Sequence, residues 1–177
     1  RGVGLGARGG PGRMGVRRGG ARGAPGVLFP PPPAKREDGL RLGAREVVVS
    51  RNADEMTAHA GSLDFILNTV AAPHNLDAFL VLLKLDGTMT LVGAPATPHP
   101  SPGVFNLIMK RRRLAGSLIG GIRETQEMLD FCAQHQIVSD IEKIRMYDIE
   151  TAYERMLTIE VKYPFGINRA TMRRAEK

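Results

Sequence analysis

The sequence has 177 residues and a mass of 19.2 kDa, and its 25 Lys and Arg against 18 Asp and Glu give a formal net charge of +7. A single cysteine, Cys132, excludes a disulfide framework and a cysteine-rich zinc cluster within this sequence. No apolar run reaches the roughly 18 residues of a membrane-spanning helix and no secretory signal is visible, so we expect a cytoplasmic protein. Because the first residue is Arg, we expect the chain to be a fragment or a processed product.

The basic charge is concentrated in residues 1–45. This segment holds nine Arg, one Lys and only two acidic residues, together with 13 Gly and 6 Pro. A segment so poor in apolar side chains cannot offset the entropy of ordering its backbone. Read alone, residues 1–45 are therefore expected to be disordered, whereas residues 46–177 have the composition of a globular protein.

Strand and helix patterns alternate from Glu46 onward. Four short runs are apolar on both faces and end in polar, Gly or Pro residues, which is typical of buried parallel strands, and helical periodicity separates them. The alternation predicts an α/β fold with a parallel sheet and right-handed crossovers. The predicted strands are Glu46–Ser50, Asp64–Thr69, Thr88–Gly93 and Leu114–Ile119, and the predicted helices are Asn75–Leu83, Val104–Lys110, Thr125–Cys132 and Asp148–Leu157.

Several glycine-rich and basic motifs are candidate ligand sites. Gly10–Gly15 has the G-x-G-x-x-G spacing of a dinucleotide-binding turn, although no apolar strand precedes it and low-complexity sequence is the alternative. Phe29–Glu37 contains Lys35, and a basic residue at this point of a Rossmann unit suits the 2′-phosphate of NADP, so the segment favours NADP over NAD if a dinucleotide binds. A polyproline linker is the alternative. Strands that end at Gly93 and near Ser117 would bring small residues to the ligand-binding edge of the sheet, and a plain strand-to-helix turn is the alternative for each.

The remaining polar features do not predict a metal site. The four histidines show no ligand spacing, so we expect surface histidines and a core cysteine. The basic run 110–113 is expected to end a helix, where cations complement the helix dipole. Two Arg-Gly-Gly triplets, at 8–10 and 18–20, are similar to those of RNA-binding arms but lack interleaved aromatic residues.

Six ordered segments of the sequence match one protein family: Ser50–Met56, Asp64–Asp77, Leu82–His99, Val104–Arg112, Gly116–Cys132 and Ala152–Phe165. Through these segments, from about residue 35 to residue 165, the sequence resembles the zinc-type, NADP-dependent alcohol dehydrogenases of the cinnamyl alcohol dehydrogenase group, especially the bacterial aldehyde reductases. The resemblance implies the carboxyl-terminal half of such an enzyme: residues 1–45 as the degraded start of the dinucleotide-binding domain, residues 46–137 as a Rossmann-type doubly wound domain, and residues 138–177 as the last piece of a GroES-like catalytic domain.

The resemblance also implies which residues contact the cofactor, NADP. Those contacts would be Gly9, Gly10, Pro11 and Gly12 at the pyrophosphate, Lys35 at the 2′-phosphate, Thr69 and Gly93 near the ribose and nicotinamide, and Ser117, Leu118 and Ile119 near the nicotinamide end. The family's phosphate-binding hydroxyl residues fall on Pro30, Pro31 and Pro32, which have neither a hydroxyl nor a backbone N–H. The helix expected after the glycines contains Gly19, Gly20 and Gly23, each of which costs roughly 1 kcal/mol relative to Ala.

The reaction implied by the resemblance is hydride transfer between NADPH and an aldehyde or primary alcohol, with zinc as a Lewis acid. The family's zinc ligands and proton-relay residues would lie upstream of Arg1, so we predict no catalytic residue and no metal ligand in this chain and expect it to be inactive alone. Expected partners are the small substrate and a second copy of the nucleotide-binding domain, with neither membrane nor nucleic acid. The alternative is a non-catalytic remnant whose basic Gly-Arg arm binds RNA.

Overall fold

The computed structural model describes residues 3–6, 10–24, 26–29, 36–158 and 163–174. The chain divides into two compact units, Arg1–Ile137 and Val138–Lys177. The domain assignments made above, including the GroES-like origin of the carboxyl-terminal piece, stay predictions.

The first unit is built on a six-stranded sheet in which every pair of neighbouring strands is parallel. The strands are β1 (Val3–Gly6), β2 (Gly26–Leu28), β3 (Glu46–Val47), β4 (Leu63–Asn68), β5 (Leu83–Leu91) and β6 (Arg113–Gly116). Their spatial order is β3-β2-β1-β4-β5-β6, so the chain builds outward from β1 and then returns to start again beside it with β4. This is the doubly wound arrangement, and the predicted α/β fold with a Rossmann-type sheet is confirmed.

Short helices connect the strands. They are α1 (Gly10–Ala21), α2 (Arg36–Arg41), α3 (Ala53–Ala58), α4 (Asp77–Leu80), α5 (Val104–Ile108) and α6 (Ile122–Gln134). Local capping explains where some of them begin: the side chain of Asn52 accepts hydrogen bonds from the N–H groups of Asp54 and Glu55 at the start of α3. Over the part of the chain that the structure describes, no helix is long and apolar enough to cross a membrane.

The main core lies against β4 and β5. The predicted helical face at 75–83 is buried as expected, although the helix itself is shorter and the last of these residues begins β5. Parallel strands covered by helices have both faces buried. The strands are therefore runs of apolar residues and do not alternate strictly between apolar and polar residues. Fully buried side chains include Leu63, Ile66, Leu80, Leu82, Leu83 and Met89.

The basic run that follows α5 ties this helix to the sheet. The guanidinium of Arg112 donates hydrogen bonds to the carbonyl oxygens of Leu83, Val81 and Asn106. Burial lowers the pKa of Arg112 from its ordinary value. The carbonyl of Asn106 belongs to the last turn of α5, where carbonyl groups have no partner within the helix. The guanidinium of Arg112 therefore supplies a hydrogen-bond donor to the end of α5 as well as to the first residue of β5.

Two features of the amino-terminal segment differ from the predictions. No apolar strand was expected before Gly10, and this prediction is wrong because β1 lies there, paired with β2 on one side and β4 on the other. Gly23 was expected inside the following helix, but α1 ends at Ala21 and Gly23 adopts the left-handed backbone conformation just beyond it, with φ of 68°. Gly19 and Gly20 do lie within α1.

In the second unit, residues 138–158 and 163–174 are described, and they form two parallel strands and one α-helix. They are β7 (Glu142–Arg145), α7 (Ile149–Leu157) and β8 (Phe165–Asn168), with 3₁₀ turns at Met146–Asp148 and Arg169–Arg174. Arg155 of α7 forms a two-pronged ion pair with the carboxylate of Glu142, at 2.6 and 3.1 Å, and its guanidinium stacks 5.2 Å from the ring centre of Phe165. One arginine therefore connects all three elements of this unit.

Candidate cofactor site

The carboxyl ends of the parallel strands meet at one edge of the sheet, and open α/β sheets bind their ligands there. The strand order reverses between β1 and β4, so the connections that leave these two strands run to opposite faces and open a crevice between them. The residues that follow β1, β2, β4, β5 and β6 therefore determine what the crevice can hold.

The amino end of α1 forms one side of the crevice. This helix begins at Gly10, shortly after β1 ends, and Pro11 and Gly12 follow within its first turn. The first N–H groups of a helix have no intrahelical partner and carry partial positive charge, which suits a phosphate. Pro11 has no N–H and occupies a helix position where that loss costs nothing.

The end of β4 lies next to β1 across the reversal. Asn68, the last residue of β4, is only 4% exposed. Its backbone carbonyl accepts a hydrogen bond of 2.9 Å from the N–H of Val92, and its side-chain Oδ1 accepts one of 3.0 Å from the N–H of Val70. Thr69, half-buried, is thereby held between two fixed neighbours at the edge of the sheet.

Gly93 follows β5 and packs directly against the backbone of Val70 and Ala71, so that no side chain fits at this position. One strand further along, the N–H of Ser117 donates a hydrogen bond of 3.1 Å to the carbonyl of Leu91 and continues the pairing of β6 with β5. The two residues after it, Leu118 and Ile119, are 90% and 89% exposed. This end of the crevice is thus open and apolar.

A cavity of about 300 Å³ opens at the ends of β2, β3 and β4. Its lining is mostly apolar with a few polar groups, which is typical of small-molecule sites. In Rossmann folds that bind a dinucleotide, the residue that follows the second strand contacts the ribose of the adenosine half, and this cavity lies at the corresponding end of β2. The lining residues include Phe29, Ser50, Ile66, Asn68, Val70 and His74.

The structure brings most of the predicted contacts to one edge, although their role in cofactor binding stays a prediction. Gly9 and Lys35 fall outside the described residues. The outermost pair, Leu118 and Ile119, follows the edge strand. The others lie at the ends of neighbouring strands or the start of α1: Gly10, Pro11, Gly12, Thr69, Gly93 and Ser117.

Two residues of this region were not predicted. His74 was expected at the surface, but it is half-buried and its Nε2 accepts a hydrogen bond of 2.8 Å from the side-chain amide of Asn68. The available signal was the asparagine itself, which ends an otherwise apolar strand, since a buried amide requires partners. Which residue supplies the partner depends on how the following loop closes, and the sequence pattern does not give that.

Metal-binding groups are not clustered in the described part of the chain. There, no three side chains of His, Cys, Asp or Glu lie close enough together to hold an ion. Cys132 is buried as predicted, with its sulfur 3.7 Å from that of Met128.

A six-stranded parallel sheet in this order, with glycines in the first turn of the helix that follows the first strand and a crevice at the reversal, defines a Rossmann-type dinucleotide-binding domain. The profile of a protein family described as zinc-binding dehydrogenase matches residues 13–134. The chain belongs to this family, and the predicted resemblance to zinc-type alcohol dehydrogenases is confirmed.

Individual relatives agree with this assignment. Aldehyde reductase YahK of Escherichia coli is 66% identical over 170 residues, which are 96% of this chain and 49% of that protein. A cinnamyl alcohol dehydrogenase from Sorghum bicolor superposes with a TM-score of 0.90 at 38% identity, over 96% of this chain and 48% of that one. The enzyme from Helicobacter pylori complexed with NADP(H) superposes with a TM-score of 0.82 at 35% identity, over 95% and 48%. The chain thus spans about half the length of the relatives it matches.

Proposed function

We propose that the whole protein is an NADP-dependent, zinc-type alcohol dehydrogenase that acts as an aldehyde reductase, and that this chain is its NADP-binding half. The observation that carries the proposal is the crevice at the strand reversal, where the start of α1, the turn after β4 and Gly93 meet at one edge of the sheet. The relatives support it, because one is named an aldehyde reductase and the structure of another contains NADP(H).

The proposed cofactor lies along this edge. The amino end of α1 takes the pyrophosphate, and the cavity beside Phe29 and Ser50 takes the adenosine half. The close approach of Gly93 to Val70 leaves backbone, without a side chain, beside the nicotinamide half. Lys35 is the proposed partner of the 2′-phosphate, since an ammonium is a good point charge for phosphate.

The proposed reaction transfers a hydride from NADPH to the carbonyl carbon of an aldehyde while the carbonyl oxygen gains a proton, which yields NADP⁺ and a primary alcohol. Zinc, when bound, supplies Lewis-acid polarisation of the carbonyl. Because the chain spans about half the length of the relatives it matches, we propose that the zinc ligands lie in the other part of the protein. This chain then contributes the binding and orientation of the hydride donor.

A titration of the chain with NADPH, followed by cofactor fluorescence, tests the binding. We expect saturable binding, with Lys35→Ala weakening NADPH by about tenfold through loss of one charge-assisted contact and leaving NADH nearly unchanged. Lys143→Ala is the matched control, because it removes an equal charge from the second unit. Equal weakening of NADPH and NADH, or no binding at all, would contradict the assignment.

The location of the zinc ligands has its own test. The chain supplied with zinc and NADPH should not reduce an aromatic aldehyde. Turnover that depends on added zinc would show that the chain itself holds the metal and would overturn this part of the proposal.

A homodimer through the first unit is also proposed. β6 is an edge strand of the described sheet, and the preceding helix α5 with its C-cap residue exposes Val104, Phe105, Ile108 and Met109. An open edge beside an exposed apolar face suits pairing with a second copy. Phe105→Glu should lower the mass measured by light scattering to that of one chain, whereas Leu129→Glu, on exposed α6, should not.

The alternative of an RNA-binding remnant is decided by a separate measurement. The second Arg-Gly-Gly triplet lies within α1, where the guanidinium carbon of Arg18 is 5.9 Å from the ring centre of Phe131. Salt-dependent RNA binding that disappears in Arg17→Gln with Arg18→Gln, in a chain that does not bind NADPH, would favour the remnant. The cytoplasmic location stays a prediction as well.

A further inference from the structure

Asn68 stands out because it is the one buried polar side chain within the described core. A buried amide must find partners for both its oxygen and its nitrogen, or it destabilises the fold. Here both partners, the N–H of Val70 and the ring of His74, lie in the segment that immediately follows β4. The side chain therefore forms local hydrogen bonds and does not bond to another strand.

The orientation of every group in this network follows from one fixed donor. The backbone N–H of Val70 can only donate, so it faces Oδ1 of Asn68, at 3.0 Å. The amide nitrogen of Asn68 therefore faces Nε2 of His74, at 2.8 Å, and Nε2 must accept. The ring proton then resides on Nδ1, which donates to the carbonyl of Ala72, at 2.8 Å. Asn68 and His74 thus form a continuous chain of hydrogen bonds that closes the loop 69–74.

Aromatic contacts hold the His74 ring on two sides. Phe79 meets it edge-on, with ring centres 5.7 Å apart, and His99 meets it edge-on at 4.7 Å. The backbone N–H of His74 also donates to Nδ1 of His99, at 3.4 Å. Because the ring cannot tilt without losing these contacts, its two nitrogens are held in place for their hydrogen bonds to Asn68 and Ala72.

The closed loop borders both halves of the crevice. Asn68, Val70 and His74 line the cavity on the adenosine side, while the backbone of Val70 abuts Gly93 on the other side. We propose that Asn68 and His74 are positioning residues, whose hydrogen-bond chain fixes the loop 69–74 as the wall against which the adenosine half of the dinucleotide binds. This inference rests on the proposed cofactor function.

Substitutions at His74 separate positioning from packing. His74→Phe keeps an aromatic ring against Phe79 but removes both hydrogen bonds, whereas His74→Gln can keep an acceptor near the Nε2 position. His59→Phe is the matched control, since His59 packs edge-on against Phe29 of the same aromatic cluster and its Nε2 lies 3.1 Å from a carboxylate oxygen of the exposed Glu46. The probes are NADPH and 2′,5′-ADP, which carries only the adenosine half.

We expect His74→Phe to weaken both probes by about tenfold, as for two lost neutral hydrogen bonds, while His74→Gln weakens them by less than about threefold and His59→Phe leaves them unchanged. Amide exchange of the Val70 N–H in the ligand-free chain should quicken by about tenfold in His74→Phe, because its acceptor is no longer held. Should that variant fail to fold, His74→Asn, which lacks the Nε2 acceptor, replaces it.

Unchanged affinities in His74→Phe would overturn the inference, and so would equal weakening in the Phe and Gln variants. The Val70 amide separates the two proposals. If the unsubstituted chain binds neither probe, the cofactor function fails, yet quickened exchange in His74→Phe still supports the fixed loop and unchanged exchange still overturns it.

Discussion

Gly93 and Val70 are in direct backbone contact across the ends of β5 and β4. A Cβ atom added to Gly93 would lie 2.6 Å from both the carbonyl carbon and the carbonyl oxygen of Val70. Hydrogen bonds hold both segments in place. The N–H of Val70 donates to the side-chain Oδ1 of Asn68, and the N–H of Val92, next to Gly93, donates to the backbone carbonyl of Asn68. The two strand ends are therefore held in direct contact. We expect a larger side chain at position 93 to displace the loop that contains His74 as well.

We expect Gly93→Ala to lower the free energy of unfolding by about 2 kcal/mol, the usual cost of forcing extra volume into a closed contact, and to weaken NADPH binding with it. Urea unfolding followed by circular dichroism gives the stability. Gly116→Ala is the control for stability, since a Cβ there would meet nothing closer than the carbonyl of Leu91, at 3.9 Å. Equal stability of the two variants would show that Val70 moves aside.

A glycine within α1 and a glycine just beyond its end predict opposite effects for two similar substitutions. Gly20 lies within the helix and is exposed, with no atom within 4 Å of an added Cβ, so Gly20→Ala should stabilise the chain by about 1 kcal/mol. Gly23 has φ of 68°, where L-residues are strained, so Gly23→Ala should destabilise it by about 1 kcal/mol. Thermal unfolding of both variants checks the sign, and a destabilising Gly20→Ala would contradict the assignment of this residue to the helix.

The sequence predicted those parts of the fold whose pattern is local. β4, β5 and the buried face of the segment between them were predicted because apolar runs such as 64–69 end in polar, Gly or Pro residues and are apolar on both faces. β1 was missed because its residues, Val3–Gly6, include two glycines and become a strand only by pairing with β2 and β4, which lie far along the chain. Long-range pairing is not visible in a short window.

The same distinction applies to the site. The glycine spacing at 10–15 and the small residue at Gly93 are local patterns, and both lie at the predicted edge of the sheet. The network of Asn68 and His74 was missed because it depends on the closure of a loop and on His99, which is 25 residues away from its partner. Carboxamide and imidazole partners have no fixed spacing, so only the fold brings them together.

The contact between Arg22, which directly follows α1, and Phe131 of α6 offers a measurable coupling energy. The guanidinium carbon of Arg22 lies 4.7 Å from the ring centre of Phe131, which also stacks on His135 at 4.3 Å. A cation over an aromatic face at an exposed site contributes about 0.5–1 kcal/mol. A double-mutant cycle of Arg22→Gln and Phe131→Leu should give a coupling energy in that range. A coupling energy of zero would mean that the two side chains pack without attracting each other.

The ion pair of the second unit predicts a loss of its stability in acid. The hydrogen bond from Arg155 holds the pKa of Glu142 below its ordinary value of 4.5, and Arg145 lowers the pKa of Asp148 in the same way. A carboxyl whose folded pKa is lowered contributes stability above its unfolded pKa, and this contribution is lost as the pH falls through the folded pKa.

The chain has no Trp, and its three Tyr, at 147, 153 and 163, all lie in this unit, so tyrosine fluorescence reports its unfolding selectively. We expect urea to unfold this unit more readily at about pH 3 than at about pH 7, with a smaller difference in Glu142→Gln. Glu150→Gln, on the exposed side of α7, should keep the full difference, and an equally large pH effect in Glu142→Gln would mean that the pair with Arg155 does not stabilise the unit.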